Sequence, residues 1–441
     1  MIKTQTEDIN EKLLAQFINF FRKDTRYQPH RISCENYYNG QQKIEKGIVP
    51  EGRSDNKIVA NWCKYITDVQ TGYFIGKAPV YEFAQESVKA QIDEIYERNR
   101  EDEKALELAT DMSIFGVAYE LVYFNEEKKL CFSKCDPKGT FLIYSSSIEP
   151  APVAGIRFWE EHKDPQNLES EKIIVGEFYT ETEIKKFVFA EGSLSFTESL
   201  PNVFGDIPIV EYRNNSMLHS DFFQVFDEQD AYNLTLSNTQ DDLQSIANAF
   251  LALSGMLGTE KTDIDEANKS RVLLLSEQGQ AQFVVKNLDI TATKDQRDTL
   301  KSDMLQIAQT PDLTDNAFGG NQSGVAMAYK LWGIEQNRVK KVYGFAKAIR
   351  ERLRLFSKIS AIKGEALNQD FKMKFFKNLP DNDEVLSGIV VSLNGIISRR
   401  TQLTLLPFVE DVDEELNRIE EEISAIPAEV KNELLGTSEG T

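Results

Sequence analysis

The sequence predicts an α+β fold, with long helices on either side of a block of antiparallel strands, and three observations carry that reading. Residues 220–253 contain no lysine, arginine or proline. Their apolar residues, Phe222, Val225/Phe226, Tyr232, Leu236, Leu243, Ile246, Phe250 and Leu253, recur at the three-and-four spacing of an amphipathic helix. Residues 117–212 change to a period of two, in runs such as 119–123, 141–144, 172–175 and 186–189. Turn signals at Asp136-Pro137-Lys138-Gly139 and Glu191-Gly192 separate the runs. Residues 325–359 hold a second helical stripe through Val339, Val342, Ala346, Ile349, Leu353 and Phe356, in alternating steps of three and four.

The remaining elements follow in chain order. A short amphipathic helix is expected over 7–24, a loop over 37–52, a helix over 56–75, and a charged helix over 87–115 that stops at Gly116, where a glycine past the last turn relieves the left-handed backbone. After the strands, the 220–253 helix would be about 50 Å long at 1.5 Å per residue, so it needs neighbours along its whole length. Polar Gln229 and Thr239/Gln240 interrupt its stripe, which favours packing beside copies of itself with one face wet, as in a pore wall. An insert follows at 254–291 with strand-like runs at 272–275 and 282–285, then a helix over 293–309 and a polar, Gly/Asn-rich loop from Pro311 to Gly324. Such a loop is long for a helix–helix connection. The basic helix comes next, and short helices from Pro380 lead into an acidic tail.

A chain of 441 residues with 41% hydrophobic content can fill two or three domains. Four cysteines, Cys34, Cys63, Cys131 and Cys135, are too few for a disulfide framework and fit synthesis in a reducing cytoplasm. Glu7 and Asp8 stand where a signal peptide would need an apolar run, and no segment reaches the 18 apolar residues of a membrane helix. The net charge of −21 disfavours nonspecific adhesion to DNA. That charge is banded. Residues 325–374 carry twelve Lys/Arg against four Asp/Glu, and 401–441 carry eleven acidic residues against two basic ones. Such banding suits subunits that dock on one another or on a polyanion.

Nothing points to catalysis. The stretch Gly72-Tyr-Phe-Ile-Gly76-Lys77-Ala78 has three residues between its glycines where a phosphate loop needs four, and Ala78 where a magnesium-binding hydroxyl should stand. His30, His162 and His219 lack metal-ligand spacing, Cys131 and Cys135 have no second pair, and there is no Gly-x-Ser-x-Gly elbow. No enzyme activity, cofactor or metal is expected.

Several words of the sequence, in order, resemble the portal proteins of tailed bacteriophages, in the family of long-tailed phages of Gram-positive hosts. They are Tyr37-Tyr38-Asn39-Gly40, Asn56-Lys57-Ile58-Val59 with Gly72 to Pro79, Phe115-Gly116-Val117-Ala118-Tyr119-Glu120, and Ile207-Pro208-Ile209-Val210-Glu211-Tyr212. Asp227-Glu228-Gln229-Asp230-Ala231-Tyr232-Asn233, Asn316 to Ala326 and Ile397-Ser398-Arg399-Arg400-Thr401 complete the set. The resemblance implies a homo-oligomer, a dodecameric ring at one capsid vertex of the virion, made in the host cytoplasm. Double-stranded DNA would enter through it during packaging and leave through it on infection. The implied partners are the terminase large subunit, a head-completion or adaptor protein, and the major capsid and scaffolding proteins. A different ring-forming head–tail connector or tail component is the competing reading.

The implied layout has a wing beginning at 1–219, a stem helix at 220–253, a clip at 254–291 and a second stem helix at 292–310. A tunnel loop at 311–324, the long basic helix with the rest of the wing at 325–379, and a crown with the acidic tail at 380–441 complete it. On that layout, the tunnel-loop residues Asp312, Thr314, Asp315, Asn316, Phe318, Asn321 and Gln322 are expected to touch DNA weakly. Asp230, Asp241 and Asp242 would form a stem wall that repels phosphates. Lys261, Lys269, Arg271 and Glu277 would dock partners at the clip. Val339, Val342, Ile349, Arg350 and Leu353 would make ring contacts.

Overall fold

A computed structural model describes residues 2–6, 8–46, 55–247, 250–254, 262, 280–284, 290–314, 324–362, 371–378, 392–393, 395–404, 406, 409 and 412–425. The chain divides into one compact unit over Met1–Lys377 and another over Asn378–Thr441.

The first unit opens with strand β1 (Ile2–Thr4) and helix α1 (Glu11–Lys23). Asn10 caps α1, its side chain accepting from the Leu13 amide at 3.0 Å, which satisfies a donor that the first helical turn leaves free. Helix α2 (Gln28–Tyr38) holds Pro29 in its first turn, a position suited to proline, and is an element the sequence reading lacks. Helix α3 (Trp62–Ile75) begins six residues later than expected, because Asn61 caps it at the Lys64 amide and residues 55–61 run extended. Its glycines lie inside the helix and at its end, so they form no phosphate loop. Strand β2 (Val80–Phe83) follows, and the expected 87–115 helix is two helices, α4 (Glu86–Asn99) and α5 (Glu101–Phe115), broken at Arg100 with φ 52°. Gly116 ends α5 as expected, at φ 79°, and a Cβ there would lie 2.1 Å from the Leu218 carbonyl oxygen.

The period-two block folds into β3 (Val117–Phe124), β4 (Leu130–Cys135), β5 (Thr140–Ser145), β6 (Pro152–His162), β7 (Lys172–Tyr179), β8 (Glu183–Ala190), β9 (Ser193–Pro201) and β10 (Ile209–Arg213). Six strands join in the order β1-β5-β6-β7-β8-β9, antiparallel apart from the short parallel β1, and three join as β10-β3-β4. Helix α1 buries Leu14, Ile18 and Phe21 against Phe141, Ile156 and Phe178 of the larger sheet.

Helix α6 (Phe226–Ala247) is about 33 Å long at 1.5 Å per residue, shorter than expected, and a 3₁₀ turn at Phe223–Val225 precedes it. Its expected last turns are instead strand β11 (Phe250–Ser254), which pairs antiparallel with β12 (Gln280–Val284) from Phe250↔Val284 to Ser254↔Gln280. Of the run at 282–285, residues 282–284 thus pair with 250–252; Val285 and the run at 272–275 lie outside the described residues. Helices α7 (Ile290–Ile307), α8 (Gly324–Lys330) and α9 (Trp332–Ile362) follow, and strand β13 (Phe371–Lys374) pairs with β2. The second unit contains α10 (Arg399–Thr404) and α11 (Val412–Ala425).

The heptad-like stripe of α9 faces inward. Phe345, Ile349, Leu353 and Phe356 join Phe74, Ile92, Leu108 and Met112 in one core, with Val342 packed at its margin. This corrects the assignment of Ile349 and Leu353 as ring contacts: the alternation marks intrachain burial. At Gly344 the helix lies directly on β10, where a Cβ would stand 2.0 Å from the Arg213 carbonyl oxygen. Arg352 fastens the same face. It is wholly buried, donating to Glu120 through Nε and Nη2 at 2.8 Å each, to Tyr212 Oη at 2.8 Å and to Glu101 at 3.2 Å. Burial works against its charge, but Glu120 and the surrounding groups outweigh that and raise its pKa well above the ordinary value.

Three outcomes follow. Ile349→Asp places an unpaired carboxylate in this core, and far-UV circular dichroism should show loss of the folded state at 25 °C. Glu120→Ala leaves Arg352 buried without its main partner and should cost about 3–5 kcal/mol, read from a urea midpoint. The Asp111 carboxyl in α5 is pushed up to about 6 by burial, against the pull of Lys134 at 3.5 Å. Its folded pKa lies above the unfolded value of about 3.9, so its contribution is present below that value and is lost as pH rises through about 6. Asp111→Asn should therefore gain thermal stability relative to the parent as pH rises from about 4 to about 7.

Candidate channel and assembly surfaces

Helix α6 presents a polar ladder to the extended segment 55–61. Gln229, Asn233, Ser237 and Asp241 are spaced four apart, so they rise along one face of the helix at about 6 Å per step. Alternate residues of an extended chain are separated by about 6.6 Å, nearly the same distance. Accordingly the backbone N–H of Asn56 donates to Asp241 at 3.0 Å, that of Ile58 to Ser237 at 3.0 Å, that of Ala60 to Asn233 at 3.0 Å and that of Trp62 to Gln229 at 3.0 Å. Gln229 Nε2 returns a bond to the Ala60 carbonyl at 2.7 Å, and Asn233 also donates to Gln42. Gln229 and Asn233 have no exposure. The interruption at Gln229 that read as a wet face is thus a dry polar seam, because side chains there replace a neighbouring strand in satisfying backbone donors.

The acidic residues of 220–253 divide accordingly. Asp221 pairs with the buried Lys341, whose ammonium also donates to Asn214 at 2.8 Å and whose pKa is pulled down by burial. Asp230 accepts from Tyr37 Oη at 2.8 Å and lies 2.8 Å from Lys43 Nζ. Asp241 is taken by Asn56, and Asp242 is half-buried and engaged. Asp227 is the most exposed of these, at 96%, and makes only a long ion pair with Lys43 Nζ at 3.9 Å. The expected wall of Asp230, Asp241 and Asp242 is therefore largely bonded within the chain.

The start of the expected tunnel loop is anchored. Tyr65 Oη donates to the Pro311 carbonyl at 3.1 Å and accepts from the Leu313 amide at 2.9 Å. Asp312 lies 2.6 Å from Lys301 Nζ and accepts from the Thr314 hydroxyl at 2.6 Å. Burial alone would raise its carboxyl, but Lys301 and Thr314 hold it below the usual range. Asp312 and Thr314 are thus bonded to each other and to α7 at the root of the loop. Asp315, Asn316, Phe318, Asn321 and Gln322, and the clip residues Lys261, Lys269, Arg271 and Glu277, lie outside the described residues.

Of the expected ring contacts, Val339 and Val342 are half-buried and Arg350 is exposed. The outward side of α8–α9 carries large residues, Tyr329, Trp332 and Tyr343, exposed to 78%, 63% and 74%; of these, Trp332 reads in sequence with Leu331 as part of the apolar stripe. Tyr65 and Lys301, which hold the loop, had no local signal. The folded chain also brings His30 and His219 to either side of Phe223, with ring centroids 5.5 and 4.4 Å away. Among the described residues no three His, Cys, Asp or Glu side chains gather as a metal site, and no helix is long and apolar enough to cross a membrane.

The seam yields one outcome. Asn233→Ala leaves the Ala60 N–H buried without an acceptor and should cost about 1–3 kcal/mol. Hydrogen exchange at Ile58, Ala60 and Trp62 should quicken while the larger sheet keeps its protection.

Residues 4–427 match the family described as phage portal protein, SPP1 Gp6-like. The portal protein of Bacillus phage SPP1 is 22% identical, over 99% of this chain and 94% of that one. The portal protein of Clostridium phage phiCD119 is 21% identical, over 86% of this chain and 89% of that one. Among solved structures, a chain in the neck of an empty GTA particle aligns over 78% of this chain and 90% of its own length, at 11% identity and a TM-score of 0.44. With a match spanning nearly its whole length, the chain belongs to the SPP1 Gp6-like family of phage portal proteins.

Proposed function

We propose that copies of this chain, twelve on the family pattern, close into a ring at one capsid vertex and form the axial channel for double-stranded DNA. Helices α6 and α7 pack together and supply the channel wall. The β11–β12 unit between them projects from the ring to dock first the terminase motor and then the head-completion adaptor. The loop beginning at Pro311 reaches the DNA, with Tyr65 and Lys301 fixing its root. The ring works as a passive conduit and joint within the virion, and no chemical step is assigned to it.

One observation carries this reading: α6, in a chain of the portal family, has no lysine or arginine. At the chain-wide frequency of 50 in 441, the stretch 220–253 would hold about four. DNA carries a phosphate about every 1.7 Å of axis, and a wall rich in cations would exchange bound counterions for those phosphates and hold the DNA in place. An α6 surface without cations of its own offers phosphates fewer sites at which to displace counterions, and so leaves DNA more mobile there. Asp227 is the side chain with which to test this, since Asp241 also serves the seam.

Asp227→Lys should leave ring formation intact by negative-stain microscopy. It should slow packaging and ejection at low salt, with recovery as salt rises. Wild-type rates at low salt would show that α6 is a solvated face away from DNA. Charge reversal at Lys269 and Arg271 should leave rings intact and abolish packaging in vitro; normal packaging would remove the docking role of the insert.

A further inference from the structure

Helix α9 keeps one face out of the core. Lys340, Tyr343, Lys347 and Arg350 follow one another in steps of three and four and are all exposed, Tyr343 to 74%. They form a single line about 15 Å long at helical rise. Lys340 donates to Asn337 at 3.4 Å, and among the described residues no carboxylate pairs with Lys340, Lys347 or Arg350. In a chain of net charge −21, such a line runs against the prevailing sign. A face of the opposite kind lies on α5. Asp102, Glu103, Leu106 and Glu107 are exposed along one side of that helix, Leu106 to 45%. Lys104 turns the other way and donates to the Phe132 carbonyl. Within the chain Glu103 lies 3.6 Å from Arg100 and Glu107 lies 4.0 Å from Lys134, long and exposed pairs of the sort that contribute little. Each face thus sets one exposed apolar side chain among three charges of one sign. The inward sides of both helices are committed to one core, through Leu108 and Met112 of α5 and Ile349 and Leu353 of α9, so both faces point away from it.

We propose that the cationic face of α9 docks on the acidic face of α5 in a second copy of the chain. Tyr343 covers Leu106, and Lys340, Lys347 and Arg350 meet Asp102, Glu103 and Glu107 around that pair. The apolar pair anchors the contact, while the charges set its register. Like faces would bring cation onto cation or carboxylate onto carboxylate, so the same signs exclude a contact of either face with itself. The contact is therefore heterologous: it repeats from copy to copy and closes as a ring when the rotation allows. The proposal rests on the ring reading above and names two faces that make the ring. Helix α6 takes no part in it, which leaves that helix to the channel.

Exchanging the charges tests the contact in the full chain. Lys347→Glu with Arg350→Glu should lower the ring fraction in native mass spectrometry about tenfold or more, with an unchanged circular dichroism spectrum, and Glu103→Lys with Glu107→Lys should do the same. All four changes together restore opposite signs at every contact and should return rings to within about twofold of the parent. Parental rings from either double variant, or no recovery in the combination, would overturn the inference. Parental rings from the α9 variant with impaired DNA passage would overturn it too, and would give that face to phosphates. A second arm leaves the charges untouched. Leu106→Cys with Tyr343→Cys, treated with a bis-maleimide, should give a ladder beyond dimer on a denaturing gel where neither single variant does. Cys34, Cys63, Cys131 and Cys135 are all buried and give little background. Rings visible by negative stain with no ladder would overturn the inference and leave the ring reading standing. A parent chain that remains monomeric by native mass spectrometry would overturn the ring reading itself.

Discussion

The architecture hangs on one buried cation. Arg352 lies within α9, yet its partners come from α5 (Glu101), β3 (Glu120) and β10 (Tyr212), and Phe132 of β4 packs its ring 4.3 Å below the guanidinium. A guanidinium taken out of water is tolerable only when it is paired and its donors are satisfied in a fixed geometry, so the elements that supply partners lose the freedom to shift independently. The longest helix of the chain is thereby locked in register against the three-stranded sheet. Tyr81 extends the lock to β2 by donating to Glu101 at 2.7 Å. Gly344 completes it, because the absence of a side chain there lets the helix approach the β10 backbone.

A second constraint works at α6. An extended segment beside a helix has no strand to receive its amides, and here side chains at four-residue spacing receive them. The near equality of four helical rises and two extended residues makes the arrangement possible. Its consequence for function is that the acidic residues of this region do two jobs. Asp221, Asp230 and Asp241 are held by Lys341, Tyr37 and Asn56, while Asp227 faces outward. The carboxylates of the helix thus serve internal bonding on one side, while on the other Asp227 stays exposed beside Lys43.

The root of the loop at Pro311 shows the same economy. Tyr65 of α3 and Lys301 of α7 hold its first residues, Pro311 to Leu313, against the body of the chain. Glu335, just inside α9, is a comparable tether on the other side. Burial opposes its ionisation, yet Arg338 and Tyr73 outweigh burial and hold its carboxyl down at about 2, so the tether stays charged at neutral pH.

Sequence by itself determined the alternation of helix and strand, the stop at Gly116, the absence of a phosphate loop, the banding of charge and, through short ordered motifs, the family. These are local or compositional properties: hydrophobic period, turn chemistry and residue order need no knowledge of distant partners. It did not determine where α6 ends, that Arg100 splits a helix, or that the stripe through Ile349 and Leu353 faces the core of its own chain. An apolar stripe records that something covers it and is silent on whether the cover is the same chain or another. The same holds for Gln229, whose polarity looked like exposure until the amides of residues 56–62 were brought against it. Tertiary structure decided those questions, because burial and hydrogen-bond satisfaction depend on groups far apart in the chain, as Asn56 is from Asp241, 185 residues on.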